Sequence, residues 1–111
     1  MDSTRQKKIG RLVQREMSEI FQREVRDVVM GTLVSVTVAR VSSDLGLARI
    51  YISIFPAEHK DEVYRNIVSN SSRLRFMLGQ RVGKQLRVIP ELQFFIDDSL
   101  DYAEKIDNLL K

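Results

Sequence analysis

Nine lysine and arginine side chains have the type and spacing needed to bind phosphate groups. The first group falls on one face of an amino-terminal helix at 100° per residue. The second follows residue 70, in a stretch with no acidic residue between positions 63 and 90. Cationic side chains in such rows neutralise the phosphates of nucleic acids. The first group is Lys8, Arg11, Arg15 and Arg26, and the second is Arg73, Arg75, Arg81, Lys84 and Arg87.

The basic row of the first helix has two interpretations. It could hold phosphates, or it could be a solvated helix face with internal pairs such as Arg15 with Glu19. A helix break in the second basic region favours nucleic acid. Four weak helix formers, residues 69–72, stand in a row there. A helix that restarts beyond them offers unpaired backbone N–H groups to an anion, although a plain connection between two packed helices remains the alternative. We predict a kink at Asn70, Ser71 and Ser72.

Catalytic chemistry has little support. The sequence has no cysteine, which excludes a disulfide, a thiolate zinc site and a cysteine nucleophile. The single histidine, His59, lies in a charged stretch typical of a solvated surface. An acidic group near the carboxyl terminus could hold magnesium, but carboxylates also suit the end of a strand and the first turn of a helix. These acidic residues are Glu91, Asp97, Asp98 and Asp101. We expect a non-enzymatic protein with no metal and no cofactor.

The net charge of +3 conceals a strong charge polarity. Residues 1–15 and residues 61–90 each carry a net charge of +4, whereas residues 91–111 carry −4. A chain of 111 residues fits one domain, here residues 1–111. No apolar run has the length of a membrane span, and the amino terminus lacks the apolar core of a signal peptide. We therefore expect a cytoplasmic protein that does not contact membranes.

Hydrophobic periodicity predicts the elements that position these residues. Residues 3–28 have the pattern of one amphipathic helix, with Ser3 as its N-cap. Two strands at 32–41 and 47–55 form a hairpin, with Val34, Val36 and Val38 on one face of the first strand. A kinked helical region at 59–82 follows, then a third strand made of 86–88 and 92–96, and a last helix from Ser99. The order predicts an α+β domain of KH-like (type II) layout, with a three-stranded sheet and helices on one face.

Five segments resemble the ribosome-binding factor A family of bacterial ribosome-assembly proteins. Residues 86–100, LRVIPELQFFIDDSL, resemble the family signature R-I-x-P-x-L-x-F-x-x-D-x-S. The others are RLRFMLG at 73–79, RIYIS at 49–53, RLVQREM at 11–17 and IFQREVRD at 20–27. The resemblance covers essentially the whole chain in the correct order. At the kink, Asn70-Ser71-Ser72 replaces the family's Ala-x-Gly.

The resemblance implies a KH-like domain in which a kinked helix replaces the GXXG loop. It also implies a factor that binds 16S rRNA near its 5′ end, on free 30S subunits or their precursors, and assists late rRNA processing and subunit maturation. We expect such a factor to act as a monomer. The alternative is a protein–protein adaptor that uses the sheet face or the acidic carboxyl-terminal helix.

Overall fold

The computed structural model describes residues 2–97, which form a three-stranded sheet and a set of α-helices. A short 3-10 turn at Ala57–His59 precedes the third helix. No helix in this part of the chain is long and apolar enough to cross a membrane. In chain order the elements are α1 Thr4–Arg23, α2 Arg26–Val29, β1 Leu33–Val41, β2 Leu47–Phe55, α3 Lys60–Ser69, α4 Ser71–Val82 and β3 Glu91–Ile96.

The sheet buries one of its faces. Its strand order is β1-β2-β3, with β1 antiparallel and β3 parallel to β2. Alternate residues of the strands are buried together with the apolar residues of the helices in one hydrophobic core, which confirms the predicted α+β fold with helices on one face. From the sheet, the buried residues are Val34, Val36, Val41, Ala48, Ile50, Ile52, Ile54 and Phe94.

One line of α1 side chains fastens this helix to β1. Residues four apart lie on the same helix face, and Gln6, Gly10 and Gln14 follow that spacing. The Gln6 amide donates to the Val41 carbonyl at 3.1 Å. At Gly10 the two backbones approach so closely that a Cβ atom would lie 2.6 Å from the Ala39 carbonyl oxygen. Glycine therefore allows α1 to sit directly on the strand.

A β-bulge in β1 corrects the predicted strand faces. The register with β2 shifts between Val36 and Val38, and the Gln14 amide donates to the carbonyls of Val36 and Thr37 at 3.2 and 3.0 Å. The prediction that Val38 shares the face of Val34 and Val36 is therefore wrong, because the bulge inserts one residue and inverts the alternation. Val38 is 38% exposed, whereas Val36 is buried.

The first helix is shorter than predicted. A single helix over residues 3–28 is wrong, since α1 ends at Arg23 and Val25 has a non-helical backbone. The break lets Val25 and the apolar residues of α2 enter the core. The predicted N-cap is confirmed: the Ser3 hydroxyl accepts from the Gln6 N–H at 3.1 Å, and the Gln6 side chain accepts from the Ser3 N–H at 2.9 Å.

The third strand of the sheet is shorter than predicted. Residues 86–88 lie in the connection between α4 and β3, so only the second half of the predicted strand forms. There Leu86 is buried, and Arg75 donates to the carbonyls of Ile89 and Pro90. These contacts attach the segment to the core and to α4. The break between two helices at Asn70 is confirmed, whereas the predicted helix from Ser99 lies outside the described residues.

Gly10→Ala will destabilise the protein, although alanine is favoured over glycine in a helix by about 1 kcal/mol. The added methyl group would clash with the Ala39 carbonyl and force α1 away from β1, which costs about 1–3 kcal/mol. Urea unfolding measures the change, with Lys7→Ala on the exposed side of α1 as the control. A Gly10→Ala protein as stable as the wild type would contradict the close contact.

Candidate nucleic-acid interface

α1 presents a continuous basic row to solvent. Lys8, Arg11 and Arg15 are all exposed, whereas Val13 and Met17 on the opposite side are fully buried. Among the described residues, the only ion pair in this row joins the Arg15 Nε to its neighbour Glu16 at 3.3 Å. The structure therefore brings three of the predicted site residues together on one rigid helix.

Arg26 lies on a different helix from that row. The end of α1 at Arg23 places Arg26 in the first turn of α2, where it is exposed. It lines a cleft together with Gln22 and Thr32, beside the segment that leads into β1. The prediction that Arg26 continues the basic row on the same helix is wrong, because α1 ends at Arg23.

The break at Asn70 leaves the amino-terminal end of α4 without a side-chain cap. The Asn70 side chain donates back to the Asn66 carbonyl at 2.7 Å, and the Ser69 hydroxyl donates to the same carbonyl at 3.1 Å. These polar groups complete the end of α3, and no side chain of the described residues hydrogen-bonds to the first N–H groups of α4. The N–H groups at Ser71 and Ser72 can therefore donate to an anion.

Two clefts meet at this break. One lies between α3 and β3 and is lined by Tyr64, Ser71 and Phe95, among others. The other lies between α4 and the connection to β3 and is lined by Ser72 and Phe76. Phe76, which falls off the apolar face of the helix pattern, is 68% exposed at this cleft. The two serines at the start of α4 thus each face a different cleft.

The first two arginines of α4 bind other segments of the protein. Arg73 forms a bidentate pair with Asp27 of α2, at 2.8 and 3.3 Å. The hydrogen bond from Arg73 holds the pKa of Asp27 below its ordinary value. Arg75 binds the carbonyls of Ile89 and Pro90 at 2.7 and 3.2 Å, so its charge has no carboxylate partner in these contacts. Arg75 is the more available cation of the two.

Arg81 binds carboxylates of the protein itself. Its guanidinium contacts Glu16, Glu19 and Glu24 at 2.9, 2.7 and 3.0 Å, and its side chain is only 25% exposed. Hydrogen bonds from this group to Glu16 and Glu19 raise the pKa of Arg81 and lower the pKa of Glu19. The charge of Arg81 joins α4 to α1. Lys84 and Arg87, beyond the end of α4, are exposed.

Two exposed arginines escaped the sequence-based prediction. Arg40 and Arg49 lie opposite each other on β1 and β2, on the sheet face that points away from the core. The strand alternation was a usable signal, since Arg49 alternates with Ala48 and Ile50. Neither belongs to the predicted phosphate-binding residues, which all come from the helical regions and the entry to the third strand.

The acidic residues show no metal-binding cluster within residues 2–97. Asp97 accepts a hydrogen bond from the Thr37 hydroxyl at 2.5 Å, and Glu91 is exposed at the start of β3. Asp98 and Asp101 lie outside the described residues. His59 is exposed and lies 4.0 Å from Glu62.

Comparisons with known proteins decide the family. The family model for ribosome-binding factor A matches residues 5–110. The chain belongs to the ribosome-binding factor A family. It is 47% identical over 111 residues to the Flavobacterium psychrophilum member, covering 99% of this chain and 85% of that one. It is 50% identical to the Flavobacterium johnsoniae member over the same share of each chain. This is a family of ribosome-binding factors and not of enzymes.

Solved structures of ribosome-binding factor A share the KH-like fold. The crystal structure from Thermus thermophilus has a TM-score of 0.68 at 23% identity, covering 82% of this chain and 94% of that one. The solution structure of a Thermotoga maritima protein, described as a putative ribosome binding factor A, has a TM-score of 0.61 at 19% identity, covering 86% and 89%. A Thermus thermophilus homology model fitted into a 30S complex has a TM-score of 0.61 at 24% identity, covering 78% and 89%.

Arg81→Met will lower the thermal unfolding midpoint by several degrees. It leaves three neighbouring carboxylates of α1 and its C-cap without their shared cation. Lys84→Met, which removes an exposed cation of similar length, is the matched control, and we expect it to change the midpoint little. Differential scanning calorimetry of both variants makes the comparison. Equal midpoints would show that the Arg81 contacts contribute nothing.

The contact with Glu19 also predicts a pH dependence. A carboxylate whose pKa is lowered on folding stabilises the protein above its ordinary pKa, about 4.3, and this contribution disappears as pH falls through the lowered value. The free energy of unfolding will therefore fall as the pH is lowered from about 5 to about 3, and more steeply in the wild type than in Arg81→Met. Urea titrations at each pH measure both slopes. Identical slopes would exclude this coupling.

Proposed function

We propose that this protein binds the small ribosomal subunit or its precursors through 16S rRNA and assists late maturation of the subunit. The observation that carries the proposal is the exposed α1 row together with the uncapped start of α4 between two clefts. The Thermus thermophilus relative, whose model was fitted into a map of a 30S complex, supports the subunit as the target. We further propose that contact lies near the 5′ end of 16S rRNA and that the protein acts as a cytoplasmic monomer.

The charges divide into two roles. Lys8, Arg11 and Arg15 offer cations on one rigid helix, so they suit successive phosphates of an RNA backbone. Arg75, Lys84 and Arg87 surround the second half of the kinked helix and suit a second backbone segment. Arg73 and Arg81, which are paired with carboxylates, position these elements and contribute less to RNA directly. Arg26, which shares a cleft with Gln22 near the end of α1, supplies a further cation.

The mechanism that fits this arrangement is stabilisation of one rRNA conformation. A protein that binds one conformation more tightly than another shifts the population toward it by the ratio of the two affinities. Rigid helices suit this task because the spacing of their cations is fixed before binding. The task needs no catalytic group.

Sucrose-gradient sedimentation in cell extract tests the target. At low salt the protein will sediment with small subunits or their precursors, and in high salt it will remain at the top, since phosphate contacts release counterions. Sedimentation unaffected by nuclease treatment and by salt would instead indicate a protein-binding adaptor. That outcome would refute the RNA proposal.

The triple variant Lys8→Gln, Arg11→Gln and Arg15→Gln tests the α1 row. Each lost phosphate contact lowers the log–log salt slope by about 0.7–0.9, so three lower it by roughly 2–3. Filter binding to purified 30S subunits over a salt series measures the slope. Arg23→Gln, at the other end of α1, is the control and leaves the slope unchanged. An unaltered slope in the triple variant would remove the α1 row from the interface.

A further inference from the structure

The sheet face that points away from the core carries two ordered rows of side chains. The first row crosses the strands as Val38, Tyr51 and Phe95, which are register partners. The second row, two residues away along the strands, consists of Arg40, Arg49 and Gln93. Two residues span about 6.6 Å along a strand. An apolar row and a basic row thus lie side by side on this face.

The aromatic pair of the first row has an exposed ring. Tyr51 and Phe95 stack with ring centroids 5.3 Å apart and an interplanar angle of 25°. Phe95 remains 37% exposed, and Val38, on the other side of Tyr51 in the same row, is exposed to a similar extent. A cross-strand aromatic pair stabilises a sheet by itself, so stacking alone does not indicate a ligand.

The arginine pair of the second row is the observation that indicates a ligand. Like charges directly opposite each other weaken strand pairing. Arg40 and Arg49 nevertheless face each other, and neither forms an ion pair within residues 2–97. Glu91 at the start of β3 and Asp97 just beyond its end flank the two rows. Two cations that do not serve the sheet are therefore available to an anionic ligand.

Single-stranded RNA has the chemistry that matches both rows. Its unpaired bases stack on aromatic rings while its phosphates bind cations along the same strand. A duplex keeps its bases stacked inside and cannot use the rings. Phe95 also lines the cleft between α3 and β3 that reaches Ser71, so this face is continuous with the kink. At the other end, Arg40 and Arg49 line a cleft with Ser43, whose hydroxyl can donate, and with Ser42, whose hydroxyl donates to Asp44 at 2.6 Å.

We propose that this sheet face is a second RNA-binding surface, where an unpaired base stacks on the Tyr51–Phe95 pair and Arg40 and Arg49 hold the adjacent phosphates. It is distinct from the α1 row and the uncapped start of α4. The proposal rests on the proposed function for the source of the RNA, whereas the surface itself can be tested with RNA alone.

Phe95→Leu and Phe95→Tyr form a matched pair, since both keep a largely apolar side chain at a partly exposed site and only tyrosine keeps the ring. Fluorescence anisotropy with the full chain measures binding to labelled decauridylate and to an abasic strand of the same length and charge. We expect Phe95→Leu to weaken decauridylate binding roughly fivefold or more and Phe95→Tyr to leave it within about twofold. On the abasic strand the wild type and both variants should bind equally.

Arg40→Gln combined with Arg49→Gln should weaken binding to both strands and lower the salt slope by roughly 1.4, the value for two single-strand phosphate contacts. A Phe95→Leu protein that binds decauridylate as well as the wild type would overturn the proposal. The proposal would also be overturned if polyglutamate displaced the labelled strand as effectively as unlabelled RNA does. A third contrary result would be a wild-type dimer, seen by analytical ultracentrifugation, that Phe95→Leu abolishes. These results would assign the face to an acidic protein or to a second copy of the chain.

The two proposals fail in different ways. The protein could fail to sediment with small subunits while Phe95→Leu still weakens base-dependent binding. In that case the sheet face binds RNA, but the RNA does not come from the small subunit. If sedimentation holds and the effect of Phe95→Leu is absent, the proposed function stands and the sheet face is overturned.

Discussion

The contact between Gly10 and the Ala39 carbonyl sets how closely α1 approaches β1. A Cβ atom at this position would lie 2.6 Å from that oxygen, so only glycine permits the approach. One turn further along, Gln14 binds the two carbonyls at the bulge of β1. Helix α1 supplies much of the buried apolar surface of the core. Its position on β1 therefore determines how the core packs and in which direction the basic row points. The bulge that Gln14 binds determines the sheet face on which Val38 lies.

Local patterns predicted the elements well where periodicity and capping agreed. The Ser3 cap, both strands of the hairpin and the break at Asn70 follow from residue types within a few positions. The bulge in β1 and the break after Arg23 were missed, since both depend on partners distant in sequence. Gln14 is more than twenty residues from the carbonyls that it binds, and Val25 leaves the helix to enter a core built from other elements.

The same limit of sequence-based prediction applies to the basic residues. Sequence could place nine cations in two groups, but it could not separate cations that face solvent from cations that hold the fold. Arg81 contacts three glutamates on α1 and at its end, and Arg73 pairs with Asp27, so these two serve the packing of α4. The other exposed cations of the nine are Lys8, Arg11, Arg15, Arg26, Arg75, Lys84 and Arg87. The division follows from the positions of glutamates and aspartates that only the folded chain brings close.

In the proposed complex with the small subunit, Lys8 of α1 and Lys84 beyond α4 face RNA. Lysine acetylation followed by mass spectrometry measures this directly, comparing the free protein with its complex with 30S subunits. Lys8 and Lys84, which are both exposed, should be acetylated in the free protein and become protected in the complex. Equal acetylation of Lys8 and Lys84 in both states would contradict the claim.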